Sequence, residues 1–148
     1  MAIELEKLAT SYEVPATSYD FKIIKDKKMH ILDPTPIFKG IIADFKTKER
    51  KEKIAYKFHF SVAQMIKKAC LVLKKETRIN KVVLSGGVFQ NKLLTQLSLG
   101  LLHKEGFDVF GHKDLPCNDS SISLGQAGIA NFSRPAIKLR RDLAPVKK

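Results

Sequence analysis

Two short polar stretches carry the residue types best suited to chemistry. The first, Ser85-Gly86-Gly87 with Asn91 shortly after it, ends the apolar run Val82-Val83-Leu84 and precedes a leucine-rich segment. Adjacent glycines free the backbone for positive φ and for close approach of a ligand. A helix starting just beyond them aims unpaired N–H groups at the same point, and that geometry suits an anion such as a phosphate. The same dipeptide also makes a plain tight strand-to-helix connection, and it is neither a Walker loop nor a complete dinucleotide fingerprint. The second stretch, Asn118-Asp119-Ser120-Ser121, stands just before a helical pattern. Asp119 is there either an N-terminal cap, its carboxylate accepting backbone N–H bonds, or a metal ligand pointing into a cleft. Asn91 carries the same ambiguity: it caps the helix it opens, or it offers its amide to a sugar hydroxyl of a bound nucleotide.

The remaining reactive residue types are dispersed. His30, His59, His103 and His112 show no spacing that a zinc site requires, and no Ser-His-Asp or Cys-His arrangement is visible. His59, between Phe58 and Phe60, reads as a satisfied, partly buried ring, and His103 as a residue favoured by the dipole at a helix C-terminus. Cys70 falls in a helical pattern and Cys117 in a loop pattern, with neither metal nor disulfide spacing, which agrees with a reducing compartment.

The elements that must hold these residues follow from hydrophobic period. Glu4 to Leu8 has a short amphipathic helix pattern. Tyr19–Ile24 and Met29–Leu32 are extended runs separated by Lys25-Asp26-Lys27-Lys28, which suggests a hairpin. After Asp33-Pro34, Thr35 is the expected cap and Pro36 the first residue of a short helix with Ile37, Ile41, Ile42 and Phe45 on one stripe. Thr47 to Lys53 is polar and reads as a loop or a frayed start. Ile54 to Thr77 is the longest periodic segment, with Ile54, Phe58, Val62, Met65, Ile66, Ala69 and Leu73 opposite a lysine face. Lys81–Ser85 is a strand without alternation, as in buried parallel sheets. Asn91–Lys104 is a helix with Leu93, Leu94, Leu97 and Leu101 inward, Phe107–Phe110 a second strand, His112–Asn118 a loop and Ser121–Phe132 a last helix. Strand alternating with helix argues for an α/β layer with parallel strands joined by right-handed crossovers. Ligands bind such sheets beyond the carboxyl ends of the strands, where Ser85-Gly86-Gly87 and the loop reaching Asp119 both fall.

With 148 residues, 44% hydrophobic and 28% charged, the chain supports one core, expected over 1–132, followed by a basic tail over 133–148 that is only partly ordered. No run is long enough to span a membrane, and Glu4 and Glu6 stand where a signal peptide needs a basic start and an apolar core, so a cytoplasmic protein is expected. The formal net charge of +12 reads first as solvated helix faces plus the tail, and second as a surface for nucleic acid or an acidic protein.

In combination these stretches are more specific than each alone. Leu84-Ser85-Gly86-Gly87-Val88-Phe89-Gln90-Asn91, Gly106-Phe107-Asp108-Val109 and Pro116-Cys117-Asn118-Asp119-Ser120-Ser121-Ile122-Ser123-Leu124-Gly125-Gln126-Ala127 closely resemble the C-terminal end of the hydrogenase-maturation carbamoyltransferases, the HypF family. The likeness extends through Lys57-Phe58-His59 and Leu32-Asp33-Pro34-Thr35-Pro36 back to Ala2-Ile3-Glu4, leaving out only the basic tail. It implies one lobe of an actin-like ATPase (ribonuclease-H-like) fold, similar to the tRNA threonylcarbamoyl-transfer proteins, with a central sheet and packed helices. It implies an enzyme that uses carbamoyl phosphate and ATP, by way of carbamoyl adenylate, to carbamoylate the C-terminal cysteine of a HypE-type partner in nickel-iron hydrogenase maturation. Carried onto this sequence, the Ser85-Gly86-Gly87 turn would contact the nucleotide, Asn91 would reach its sugar and Asp119 would help to hold a divalent metal at the phosphates. Ser120-Ser121 stand where the family usually has two glycines. The acylphosphatase-like, zinc-finger and adenylate-forming domains and the histidine-bearing first half of the actin-like module are absent, so the chain is expected to be a fragment holding half of one active site and inactive alone. Two other readings are a tRNA threonylcarbamoyl-transfer relative, favoured by the charge, and a non-catalytic nucleotide- or partner-binding lobe. Phe89-Gln90 and Ile122-Ser123-Leu124-Gly125-Gln126 favour the hydrogenase branch, which makes nucleic acid the less favoured partner.

Overall fold

Local sequence accounts for most element boundaries in the computed structural model, which describes residues 2–12, 17–27, 29–112 and 116–132. In chain order these are α1 (Ala2–Thr10), β1 (Lys22–Asp26), β2 (Met29–Asp33), α2 (Thr35–Lys46), α3 (Lys51–Thr77), β3 (Lys81–Leu84), α4 (Lys92–Lys104), β4 (Asp108–Gly111) and α5 (Ile122–Phe132). The expected tail over 133–148 lies outside the described residues.

β1 and β2 form an antiparallel hairpin of their own, tied to the end of α3 where His30 Nε2 meets Glu76 Oε1 at 3.0 Å. β3 and β4 pair in parallel, Lys81 opposite Asp108 and Leu84 opposite Gly111, with α4 as the crossover. The expected central sheet is thus two strands wide among the described residues. Its core is Leu84, Leu102 and Phe107, packed by Ile66, Cys70 and Leu71 of α3 and by Leu99 of α4.

Several sequence expectations shift by a turn or less. Tyr19 is not in a strand; it is a buried anchor whose N–H donates to Ser61 Oγ at 2.7 Å and whose hydroxyl donates to Asp44 Oδ2 at 2.7 Å. Lys57 bonds the same carboxylate oxygen at 2.7 Å and lies 4.1 Å from the Tyr19 ring centroid. Gly40 leaves room for that ring, since a Cβ there would come within 2.5 Å of Tyr19 Cδ1. Thr35 is not the cap of α2: it is the first helical residue, preceded by Pro34, and its N–H donates to Asp33 Oδ1 at 2.9 Å. α3 starts at Lys51, before the expected Ile54, because lysine and glutamate propagate a helix well with their charged ends in solvent, and Glu49 pairs with Lys53 across the junction.

Periodicity misplaced some buried faces. α3 buries Ile54, Ala55, His59, Ser61 and Ala63, two of them polar and hydrogen-bonded, while Leu73 is exposed. On α4 the innermost line is Leu94, Ser98 and Leu102, with Leu93, Leu97 and Leu101 half-buried beside it. α2 buries Ile37 and leaves Ile42 and Phe45 exposed. α5 buries none of its residues.

Candidate functional site

The parallel register of β3 and β4 builds the site. Because Leu84 pairs with Gly111, the next residues of the two strands, Ser85 and His112, emerge side by side, and Ser85 Oγ lies 2.8 Å from His112 Nε2. The chain then turns at Gly86 with φ +104 and ψ 154, a conformation that a Cβ disfavours, and nothing lies within 4 Å of where that Cβ would point. Opposite stands a single 3₁₀ turn, Asp119–Ser121, capped by Asn118, whose Oδ1 accepts from Ser120 N at 3.2 Å and from Ser120 Oγ at 2.5 Å. Ser121 Oγ donates back to the Pro116 carbonyl. Between them is a cleft of about 270 Å³ lined by Ser85, Gly86, His112, Cys117, Asn118 and Asp119 among others. An apolar hollow of about 290 Å³, bounded by Leu84, Phe89 and Leu99, shares His112 and Cys117 with it.

The structure brings together only part of the expected set. Ser85, Gly86 and Asp119 share the cleft; Asn91 does not. Of the two glycines only Gly86 takes positive φ, and a Cβ on Gly87 would make an ordinary 3.9 Å contact with Asn118 Cβ. The expectation that α4 aims free N–H groups at an anion is corrected: a 3₁₀ turn, Gly87–Gln90, intervenes, and the N–H groups are already taken. Lys92 N and Leu93 N donate to Glu6 Oε1 of α1 at 2.7 and 3.4 Å, and Leu94 N donates to Asn91 Oδ1 at 2.8 Å. Asn91 is therefore the cap of α4, and its Nδ2 lies 2.8 Å from Nε2 of the buried His59. A hollow of about 200 Å³, separate from the cleft, is lined by Asn91, His59, Phe58, Val62 and Val88 among others.

Asn118, not Asp119, caps the 3₁₀ turn that leads into α5. Among the described residues no hydrogen bond or ion pair engages the exposed Asp119 carboxylate. A single carboxylate is nevertheless too few donors for a divalent cation, and no group of three His, Cys, Asp or Glu gathers among the described residues. These residues do not hold a metal by themselves. Sequence reading missed His112, Cys117 and the capping role of Asn118. The Ser85–His112 pair was available from the strands once their register was assumed, since the two residues follow paired strand ends.

A parallel βαβ unit with a Ser-Gly turn beyond one strand faces a capped turn that leads into a helix, and with its likeness to a solved structure this places the chain as part of an actin-like ATPase fold. This chain belongs to the HypF carbamoyltransferase family: the model for "Carbamoyltransferase, Kae1-like Domain, second subdomain" matches residues 1–126. It is 35% identical over 102 residues to the carbamoyltransferase HypF of Synechocystis sp., covering 69% of this chain and 12% of that protein. It superposes with TM-score 0.83 and 38% identity on a crystal structure of full-length HypF in the phosphate- and nucleotide-bound form, covering 92% of this chain and 18% of that one. It is also 36% identical over 70 residues to the tRNA N6-adenosine threonylcarbamoyltransferase of Ehrlichia canis, over 47% of this chain and 20% of that protein. The chain thus spans less than a fifth of the HypF proteins it matches. No described helix is long and apolar enough to cross a membrane.

Proposed function

We propose that this chain is the C-terminal lobe of a cytoplasmic carbamoyltransferase that uses carbamoyl phosphate and ATP, through carbamoyl adenylate, to carbamoylate the C-terminal cysteine of a HypE-type partner in nickel-iron hydrogenase maturation. The lobe is inactive until the domains present in its longer relatives complete the cleft. The observation that carries this reading is the Ser85-Gly86 turn facing Asn118-Asp119 across an open cleft, in a chain whose solved relative is described as phosphate- and nucleotide-bound. In this reading the backbone at Gly86 and Gly87 lies against the nucleotide, with Ser85 Oγ as a donor held by His112. Asn91, which does not line the cleft, would reach the sugar with its remaining N–H, and Asp119 would supply one ligand to a divalent metal completed by other residues. The metal, when bound, supplies positive charge at the phosphates. Positioning and electrostatics dominate such chemistry, so half a site should bind without turning over.

Titration with ATP, followed by an assay for carbamoyl-phosphate-dependent cleavage of ATP to AMP, tests this. Binding without cleavage is expected from the chain alone, and cleavage on adding a polypeptide that carries the remaining domains. Gly87→Val sharpens the test, because a Cβ there would make only an ordinary 3.9 Å contact with Asn118 Cβ. Its thermal midpoint should hold while ATP affinity falls, and the reverse would return the glycines to a purely structural role. The tRNA relative and the charge of +12 favour a second reading, transfer to tRNA. Labelled tRNA binding more tightly than a HypE-type protein would select it.

A further inference from the structure

We infer that His59 is a positioning residue that works only as the neutral imidazole: it fixes which way the Asn91 amide faces, and through it the N-terminus of α4 and the loop leading from the Ser85-Gly86 turn. His59 is 4% exposed. Its Nδ1 lies 2.8 Å from the Ala55 carbonyl oxygen, which can only accept, so Nδ1 carries a proton and, in the neutral ring, Nε2 is bare. Bare Nε2 accepts from Asn91 Nδ2 at 2.8 Å, and that orientation turns Asn91 Oδ1 to the Leu94 N–H at 2.8 Å. Each bond requires the one before it. An imidazolium would put a second N–H against the Asn91 amino group, and flipping the amide to accept that N–H would set its donors against the donor of Leu94.

Among the described residues, the elements packed on the ring bring no competing charge into the hollow: its lining from α1, the loop and α4 is Ala2, Leu5, Val88, Asn91 and Leu94. The charged residues of α1 are Glu4, Glu6 and Lys7, and α4 begins with Lys92; Glu6 is held on the N–H groups of Lys92 and Leu93. One Asn91 N–H remains after the bond to His59. Where the proposed nucleotide contact is concerned, and resting on that reading, that N–H is what Asn91 offers as a donor, and it pairs with an acceptor on the ligand.

The decisive measurement is nuclear magnetic resonance on the full chain, reading the ring nitrogen shifts of His59 and hydrogen exchange at Leu94 N, corrected for intrinsic pH dependence. Wild type should show protonated Nδ1 and bare Nε2 at neutral pH. Leu94 exchange should accelerate about tenfold or more once acid protonates the ring, the loss of one hydrogen bond. Asn91→Asp still caps the helix and gives Nε2–H a carboxylate to donate to, so its Leu94 amide should become better protected as pH falls. His59→Gln keeps an acceptor that does not titrate and should give pH-independent protection. A merely structural histidine predicts no such reversal of sign. Wild-type His59 with its proton on Nε2, or the same acid response in Asn91→Asp as in wild type, overturns the inference. If the chain binds no ATP, the nucleotide reading fails by itself, while the ring shifts still decide the role of His59.

Discussion

Neighbouring residues of the same chemical family divide their duties here, and substitution separates them. Asn118 holds the 3₁₀ turn and Asp119 only faces the cleft. Asn118→Ala should cost about 1 kcal/mol of stability, as cap removals do, whereas Asp119→Asn should leave the thermal midpoint unchanged and, on the proposed reading, weaken metal-dependent nucleotide binding in a protein reconstituted with the further domains of its longer relatives. Equal stability losses would show that Asp119 also holds the turn. A second residue-scale effect comes from Tyr19. Burial raises its phenol pKa first and the hydrogen bond to Asp44 adds to this, so the folded protein keeps a proton that the unfolded chain releases near pH 10. Its contribution is present in full below that value and is lost as pH rises above it. On the acid side, burial pushes Asp44 up but hydrogen bonds from Lys57 and Tyr19 outweigh it, so its contribution is lost only as pH falls below the ordinary carboxylate range. Tyr19→Phe should cost about 1–2 kcal/mol at neutral pH and flatten the decline in melting temperature above pH 10. An unchanged alkaline limb would mean that other groups set it.

At the scale of elements, α1 and α4 are joined by one carboxylate. Glu6 Oε1 takes the N–H groups of Lys92 and Leu93, where the partial positive charge of the helix end favours an anion. Glu6→Gln removes the charge but keeps an acceptor, and should lower stability by roughly 0.5–1 kcal/mol, with faster exchange at Lys92 and Leu93 and not at Leu102. Uniform acceleration would indicate global destabilisation instead. This clasp was not legible in the sequence. Nothing in Glu4 to Leu8 announces a partner so far along the chain, and the generic rule that helix N-termini attract ligands pointed to the wrong occupant. What was legible were the elements themselves, because apolar period and turn residues are local signals. Which polar residue sits inside was not, since His59 and Ser61 are buried only because Ala55, Lys57 and Asn91 offer them partners.

For the whole molecule, the α/β order and the placement of both polar stretches beyond strand ends were readable, because βαβ connectivity leaves few alternatives. The width of the sheet was not, as strand number depends on partners that periodicity does not name. That narrow sheet has a colloidal consequence. Val83 and Phe110, side by side in register, are 68% and 51% exposed, and Phe132 of α5 is 90% exposed. Short-range stickiness of this kind is opposed by the long-range repulsion of a chain carrying +12. The balance should tip with ionic strength, since the screening length shrinks from about 10 Å at 0.1 M salt to about 3 Å at 1 M. Light scattering should find separated chains at low salt and growing particles at high salt, with Val83→Lys delaying growth. Growth that is faster at low salt would mean that the charges, not the bare strands, drive association.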